Sequence, residues 1–196
     1  MDLKKEKSNL RKQIRVRQKA LSEKEILDSD EAIFHQILEL KEYQKAKVLF
    51  CFVSTSTEIN TIPLILDALD KGKIVGVPRC ESGGIMAFYR IHHLQDLEEG
   101  MCKILEPKAD CELIPPEAAE FVIIPCISCD KQGNRLGKGG GYYDRYLSDK
   151  RFKSANTCTA CVCTACICRE ALLCHQIHTD EWDITMDMVI TEKAVY

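Results

Sequence analysis

Apolar positions recur along this chain at two different periods, and the changes of period mark its elements. Leu3, Leu10, Ile14 and Leu21 fall near one helical face, and no Gly or Pro interrupts residues 1 to about 21, which predicts a first helix. Ser22-Glu23-Lys24-Glu25 has the form of a capping box. It opens a second predicted helix running to about Lys41, with Ile26, Ile33, Ile37 and Leu40 as its buried stripe, widened by Phe34 and Leu38. The helical period then stops. Val48 to Val53 is a continuous apolar run within a strand predicted over Ala46 to Val53, and such a run implies burial on both faces, as in a parallel sheet. Ile62 to Leu69 reads as a helix closed by Lys71-Gly72. Lys73 to Pro78 and Ile85 to Ile91 read as strands, the latter extending the sheet edge or forming a hairpin across Ser82-Gly83-Gly84. Leu94 to Pro116 carries no clear pattern and is read as a connection. Phe121 to Pro125 is a second short run with the composition of a buried strand, and Tyr142 to Ser148 continues as a helix. Alternating strands and helices predict an α/β protein, a three-layer α/β/α sandwich with a mainly parallel sheet, folded as one domain over residues 1–196.

Composition narrows the function classes. A hydrophobic fraction of 45% argues for a globular chain, and a net charge of −3 gives no general attraction to nucleic acid or membrane. No apolar run approaches the ~20 residues of a membrane span. Met1 to Lys7 is not followed by an apolar core, so no secretory signal is expected and the expected location is cytoplasmic. The 12 cysteines are therefore read as thiols. Cys158, Cys161, Cys163, Cys166 and Cys168, followed by Cys174, offer two Cys-x-x-Cys pairs for zinc or an iron–sulfur cluster. The segment has no loop between the pairs and reads as a strand, whose two faces divide its thiols, so packing is the simpler reading. Cys126 and Cys129 form a third pair, read the same way. His92-His93 makes a poor chelating pair, because neighbours on a strand point to opposite faces. His35 reads as a surface or edge residue.

Chemistry concentrates between Gly133 and Leu147. Gly137, Gly139, Gly140 and Gly141 supply a turn that lets a ligand approach the backbone, between the strand at Phe121 and the helix from Tyr142. A glycine turn leading into a helix suits phosphate. Arg135, Lys138 and Arg145 add cations, and Asp144 supplies a carboxylate able to hold Mg²⁺ against phosphates. The stretch is not a P-loop: one residue is missing between Gly133 and Gly137, and no Ser or Thr follows Lys138. It also departs from the dinucleotide fingerprint, with Tyr142 in place of the last glycine. The run of Lys and Arg from Lys4 to Lys19 is a solvated helix face or a cationic wall for an anionic ligand. The polar loop Ser54 to Glu58 lies where open α/β sheets bind ligands, at the carboxyl end of a strand. Asp180, Glu181, Asp183 and Asp187 read as a solvated acidic loop.

Gly133 to Leu147 resembles the signature of the 5-formyltetrahydrofolate cyclo-ligase family, also called 5,10-methenyltetrahydrofolate synthetases, and the resemblance spans almost the whole chain. It implies a doubly wound sheet and ATP-dependent, Mg²⁺-dependent cyclisation of 5-formyltetrahydrofolate to 5,10-methenyltetrahydrofolate. It implies that Lys7, Ser8, Asn9, Leu10 and Arg11 bind ATP together with Arg135, Leu136, Gly137, Lys138, Gly139, Gly140, Gly141, Tyr142 and Tyr143. Val53 and Glu58 would contact the folate with Lys138 to Tyr142, Asp144 and Asp183 would hold the metal, and Arg135 and Lys138 would serve catalysis. Ile104 to Pro107 matches a Glu-Pro element, and Met186 to Thr191 matches a final strand. Many members carry His before the second carboxylate, where this chain has Trp182. ATP and a reduced folate are the expected partners, and a monomer or weak homodimer is expected. The alternatives are a sugar-phosphate isomerase-like α/β enzyme and a non-catalytic protein that binds metal through its cysteine-rich segment.

Overall fold

The computed structural model describes residues 2–100, 104–149, 151–152 and 162–196. Cys158 and Cys161 lie outside them.

Two helices precede the first strand. α1 (Leu3–Lys19) is capped by the Asp2 side chain, which accepts from the Lys4 N–H at 3.1 Å. α2 (Glu23–Glu39) starts with the expected reciprocal box: the Ser22 N–H donates to Glu25 at 2.8 Å, and the Glu25 N–H donates to Ser22 Oγ at 3.2 Å. A short α3 (Lys41–Lys45) follows, and the sequence pattern did not separate it from α2. Then come β1 (Val48–Cys51), α4 (Ile62–Asp70), β2 (Ile74–Cys80) and β3 (Met86–Ile91). The patternless stretch folds into β4 (Leu97–Glu99), β5 (Leu105–Pro107) and β6 (Leu113–Ile114). β7 (Phe121–Ile124), β8 (Ser128–Cys129), β9 (Arg135–Leu136), α5 (Tyr142–Leu147), β10 (Cys163–Ile167) and β11 (Met188–Ile190) complete the order.

The main sheet has seven strands in the order β11-β10-β7-β1-β2-β3-β6. β11, β10, β7, β1 and β2 run parallel; β3 is antiparallel to β2, and β6 to β3. β1 and β7 are buried on both faces, which is why they read as unbroken apolar runs rather than alternating ones. One face packs Ile33 and Ile37 of α2, Tyr43 of α3, and Leu64 and Ile65 of α4 against Leu49, Val75 and Phe121. The other packs Ile14 of α1 and Tyr146 and Leu147 of α5 against Phe50, Phe88, Val122 and Ile124. The result is the expected three-layer α/β/α sandwich around a mostly parallel sheet.

The chain lays β2 on one side of β1 and returns to lay β7, β10 and β11 on the other. The order therefore reverses between β1 and β7, and the crevice at the carboxyl ends of these two strands is where such sheets bind ligands. The loop after β1 holds Val53 and Glu58, and the segment after β7 holds the glycine turn. Among the described residues no helix is long and apolar enough to cross a membrane.

Candidate active site

Three segments far apart in sequence converge at this crevice: one face of α1, the glycine turn after β9, and residues 180–184. Lys7 and Arg11 stand one helical turn apart and so share a face. The Lys7 ammonium pairs with Asp183 and lies 3.4 Å from Asp180. Arg11 Nε donates to the Gly137 carbonyl at 2.8 Å. Burial, with the like charge of Arg15, lowers the pKa of Arg11. Ser8 and Asn9 point to solvent, while Leu10 joins the apolar contacts beneath the helix. The structure thus brings Lys7 and Arg11 to the crevice and leaves Ser8 and Asn9 outside it.

The turn itself is built from below. β8 and β9 pair as a two-stranded ribbon, with Leu136 buried, and deliver Arg135 into the interior. Arg135 forms an ion pair with Asp144, whose Oδ1 also accepts the Ile184 N–H at 3.3 Å. The Asp144 carboxylate therefore joins α5 to the 180–184 loop at Ile184, the residue after Asp183. Gly139 and Gly141 have φ of +102° and +66°, conformations that require glycine here. Gly141 caps α5 without a side-chain bond. Arg145 clasps the turn rather than facing the crevice: it donates to the Gly84 and Gly140 carbonyls at 2.9 and 2.8 Å and lies over the Tyr142 ring. Tyr143 packs 5.9 Å from the Arg135 guanidinium, and burial raises its pKa, so the phenol stays neutral.

Across the crevice, Glu58 accepts the Thr55 N–H at 2.9 Å and the Thr55 hydroxyl at 2.8 Å, which fixes its carboxylate. Lys138, 56% exposed, reaches from the turn to pair with Glu58 at 2.8 Å. Both line a pocket with Phe52, Thr57, Cys126 and Cys168. Val53 is buried beneath this loop. Trp182 is 74% exposed at the rim, and its backbone N–H donates to Asp180 at 2.9 Å. His92 and His93 lie elsewhere, exposed, with His93 paired to Asp96 at 2.8 Å.

Asp144 and Asp183 fit a magnesium ion. They are hard oxygen donors, and among the described residues Asp144 Oδ2 and Asp183 Oδ1 carry no hydrogen bond. Magnesium in phosphate sites takes one or two carboxylates and completes its shell with phosphate oxygens and water.

Sequence reasoning missed Asp130. Fully buried, it accepts the Asn134 N–H at 3.0 Å and the Ile177 N–H at 2.8 Å, tying the turn before β9 to the chain leading into the 180–184 loop. The signal was present: an Asp three residues before a glycine is the signature of a turn.

A model of the 5-formyltetrahydrofolate cyclo-ligase family matches residues 3–192. The chain belongs to the 5-formyltetrahydrofolate cyclo-ligase family. It is 29% identical over 187 residues to the 5-formyltetrahydrofolate cyclo-ligase of Escherichia coli K12, covering 93% of this chain and 98% of that one. It is 29% identical over 195 residues to that of Mus musculus, covering 96% and 94%. Its fold matches the NMR structure of Aquifex aeolicus 5,10-methenyltetrahydrofolate synthetase with a TM-score of 0.80 at 31% identity, over 96% of this chain and 91% of that one. The family is one of ligases, so the chain is read as an enzyme.

Proposed function

We propose that this cyclo-ligase family member converts 5-formyltetrahydrofolate to 5,10-methenyltetrahydrofolate with ATP and Mg²⁺, releasing ADP and phosphate. The observation that carries the reading is the convergence of Lys7, Arg11, Arg135 and Lys138 with two carboxylates around one glycine turn.

The chemical difficulty is the formyl group, an amide carbon that resists attack. Transfer of the γ-phosphoryl group to the formyl oxygen forms a P–O bond and releases ADP, leaving an imino-phosphate. N10 then attacks the activated carbon; the C–N bond forms, the C–O bond breaks, phosphate leaves, and the N10 proton goes to solvent. The protein's task is positioning and charge neutralisation. Lys7 and Arg11 hold the nucleotide phosphates from α1. Arg135 and Lys138 turn from their carboxylate partners toward the transferring group, with the backbone of Gly137 to Gly141 around it. Asp144 and Asp183 would hold Mg²⁺, which would supply charge neutralisation for the phosphates. Val53, Glu58 and Tyr142 line the folate side. The ion pairs described above then serve as stand-ins that keep cations and carboxylates in place until a ligand replaces each partner.

Absorbance at the methenyl-folate band tests this. Product should form only with ATP and Mg²⁺ present, and Asp144→Asn should abolish it at low Mg²⁺ with partial recovery at high Mg²⁺. Wild-type protein that binds both ligands and forms no product would refute the proposal.

A further inference from the structure

Three sulfurs meet beside the pocket, with a fourth cysteine in the same core cluster, from two segments about forty residues apart in the chain. Cys126 lies on the turn after β7 and Cys129 on β8, and Cys166 and Cys168 lie on β10 and just past its end. The Sγ atoms of Cys126, Cys129 and Cys168 lie within 4.8 Å of one another. Cys166 is buried in the same core cluster as Cys129 and Cys168, with Cys126 packed against it. Cys129, Cys166 and Cys168 are at most 2% exposed, and Cys126 is half-buried at the pocket wall. Cys163 takes the opposite side of β10, toward α2 and α3. Cys163 and Cys166, one of the pairs that spacing within 158–168 suggests, therefore face opposite sides of β10. The fold instead brings Cys126-x-x-Cys129 together with Cys168.

A buried cysteine packed for its volume faces carbon. These face one another. A tetrahedral zinc site with Zn–S of about 2.3 Å needs sulfurs about 3.8 Å apart, so the three mutually close sulfurs would need to approach by no more than about 1 Å. A cluster of thiolates also needs positive charge nearby. Arg135 supplies it: it pairs in register with Cys129 across the β8–β9 ribbon, is 8% exposed, and its buried Nε has no hydrogen-bond partner among the described residues.

We infer that Cys126, Cys129 and Cys168, closed by Cys166 as fourth sulfur, hold a thiophilic divalent cation of the zinc class at the carboxyl ends of β7 and β10. Soft thiolates select such an ion, whereas Asp144 and Asp183 select a hard one. Each metal–sulfur bond forms as its thiol gives a proton to solvent, so no oxidant is needed. With every position taken by protein the centre is structural. It staples the turn carrying β8, and through it Arg135 on β9, to the end of β10.

The test is metal analysis of full-length protein, reduced under anaerobic conditions, loaded with Zn²⁺ and desalted, followed by Co²⁺ replacement. Wild type should keep about one zinc per chain, and Co²⁺ should give sulfur-to-metal charge-transfer absorption. Zinc should also raise the melting temperature. Cys126→Ser and Cys168→Ser should lose the charge-transfer band and bind at least about tenfold more weakly; Cys163→Ser should match wild type. Cys126, being half-buried, decides alone if Cys168→Ser does not fold. Reduced wild type that retains no zinc, a Cys126→Ser variant that retains it fully, or a native Cys126–Cys129 or Cys126–Cys168 disulfide that blocks loading would each overturn the assignment. These readouts do not involve turnover, so they stand apart from the test of the cyclo-ligase reaction.

Discussion

Two guanidinium–carboxylate pairs of similar depth lie at the carboxyl side of the sheet, and their surroundings differ. Arg169 pairs with Asp30 and donates its Nε to Ser29 Oγ at 2.9 Å, while Asp30 also accepts the Asn60 N–H at 3.2 Å. The pair links the end of β10 to α2 and to the loop before α4, and the charged groups have their partners. Burial raises the Asp30 pKa in spite of Arg169. Arg135 pairs with Asp144 at similar depth, with side chains 5% and 22% exposed, but among the described residues its Nε has no partner and Asp144 keeps one free oxygen. A satisfied pair fastens elements. An unfinished pair, opening onto a crevice, keeps capacity for a ligand's charges.

That contrast can be broken by substitution. Arg135→Met should lower kcat/KM by about 10²–10³-fold, the range for removing one donor to a developing charge. Its denaturation midpoint should fall less than that of Asp30→Ala, because the carboxylate left behind, Asp144, is 22% exposed and keeps the Ile184 N–H, whereas Asp30→Ala leaves a guanidinium only 5% exposed. A large stability loss with activity per folded molecule preserved would reverse the two roles. Asp30→Ala should do the opposite. It strips a partner from a largely buried charge, at a cost of about 3 kcal/mol, and at about 2–4 °C per kcal/mol the melting midpoint falls by roughly 6–12 °C. Turnover per folded molecule should stay near wild type, by urea denaturation paired with initial rates.

Smaller effects sharpen the picture. Lys7→Met should raise KM for ATP by about tenfold, or about 1.4 kcal/mol, and leave KM for the folate unchanged. Equal rises for both substrates would place Lys7 outside a dedicated nucleotide site. Trp182→His should change stability by less than about 0.5 kcal/mol, since its side chain stands in solvent. A rate increase in that variant would show that an imidazole at the rim contributes to this reaction.

Much of the scaffold was legible because its signals are local. The Ser22–Glu25 box set the start of α2, and the runs at Val48 and Phe121 announced central strands. The stretch from Leu94 to Pro116 was not legible. β4, β5 and β6 are two or three residues long and half-exposed, and their strand state comes from partners elsewhere rather than from their own pattern. The site divides likewise. Glycines and cations of the turn were visible from residue chemistry alone, whereas Lys7, Glu58 and Asp183 read as ordinary surface charges until the family resemblance singled them out. Arg169 and Asp130 were overlooked because nothing in a linear sequence marks a charge that will be buried. The cysteines show the same limit: spacing grouped neighbours along the chain, and the sheet grouped Cys126 and Cys129 with Cys166 and Cys168.

The contact between Lys7 and Asp183 spans 176 positions, and this has a consequence for how the enzyme is made. α1 leaves the ribosome well before its acidic partner. At a synthesis rate of about 5–20 residues per second, the helix waits roughly ten to thirty-five seconds for that partner. During this interval the nascent chain carries a basic helix without its acidic partner, and the crevice is completed only once residues 180–184 have emerged.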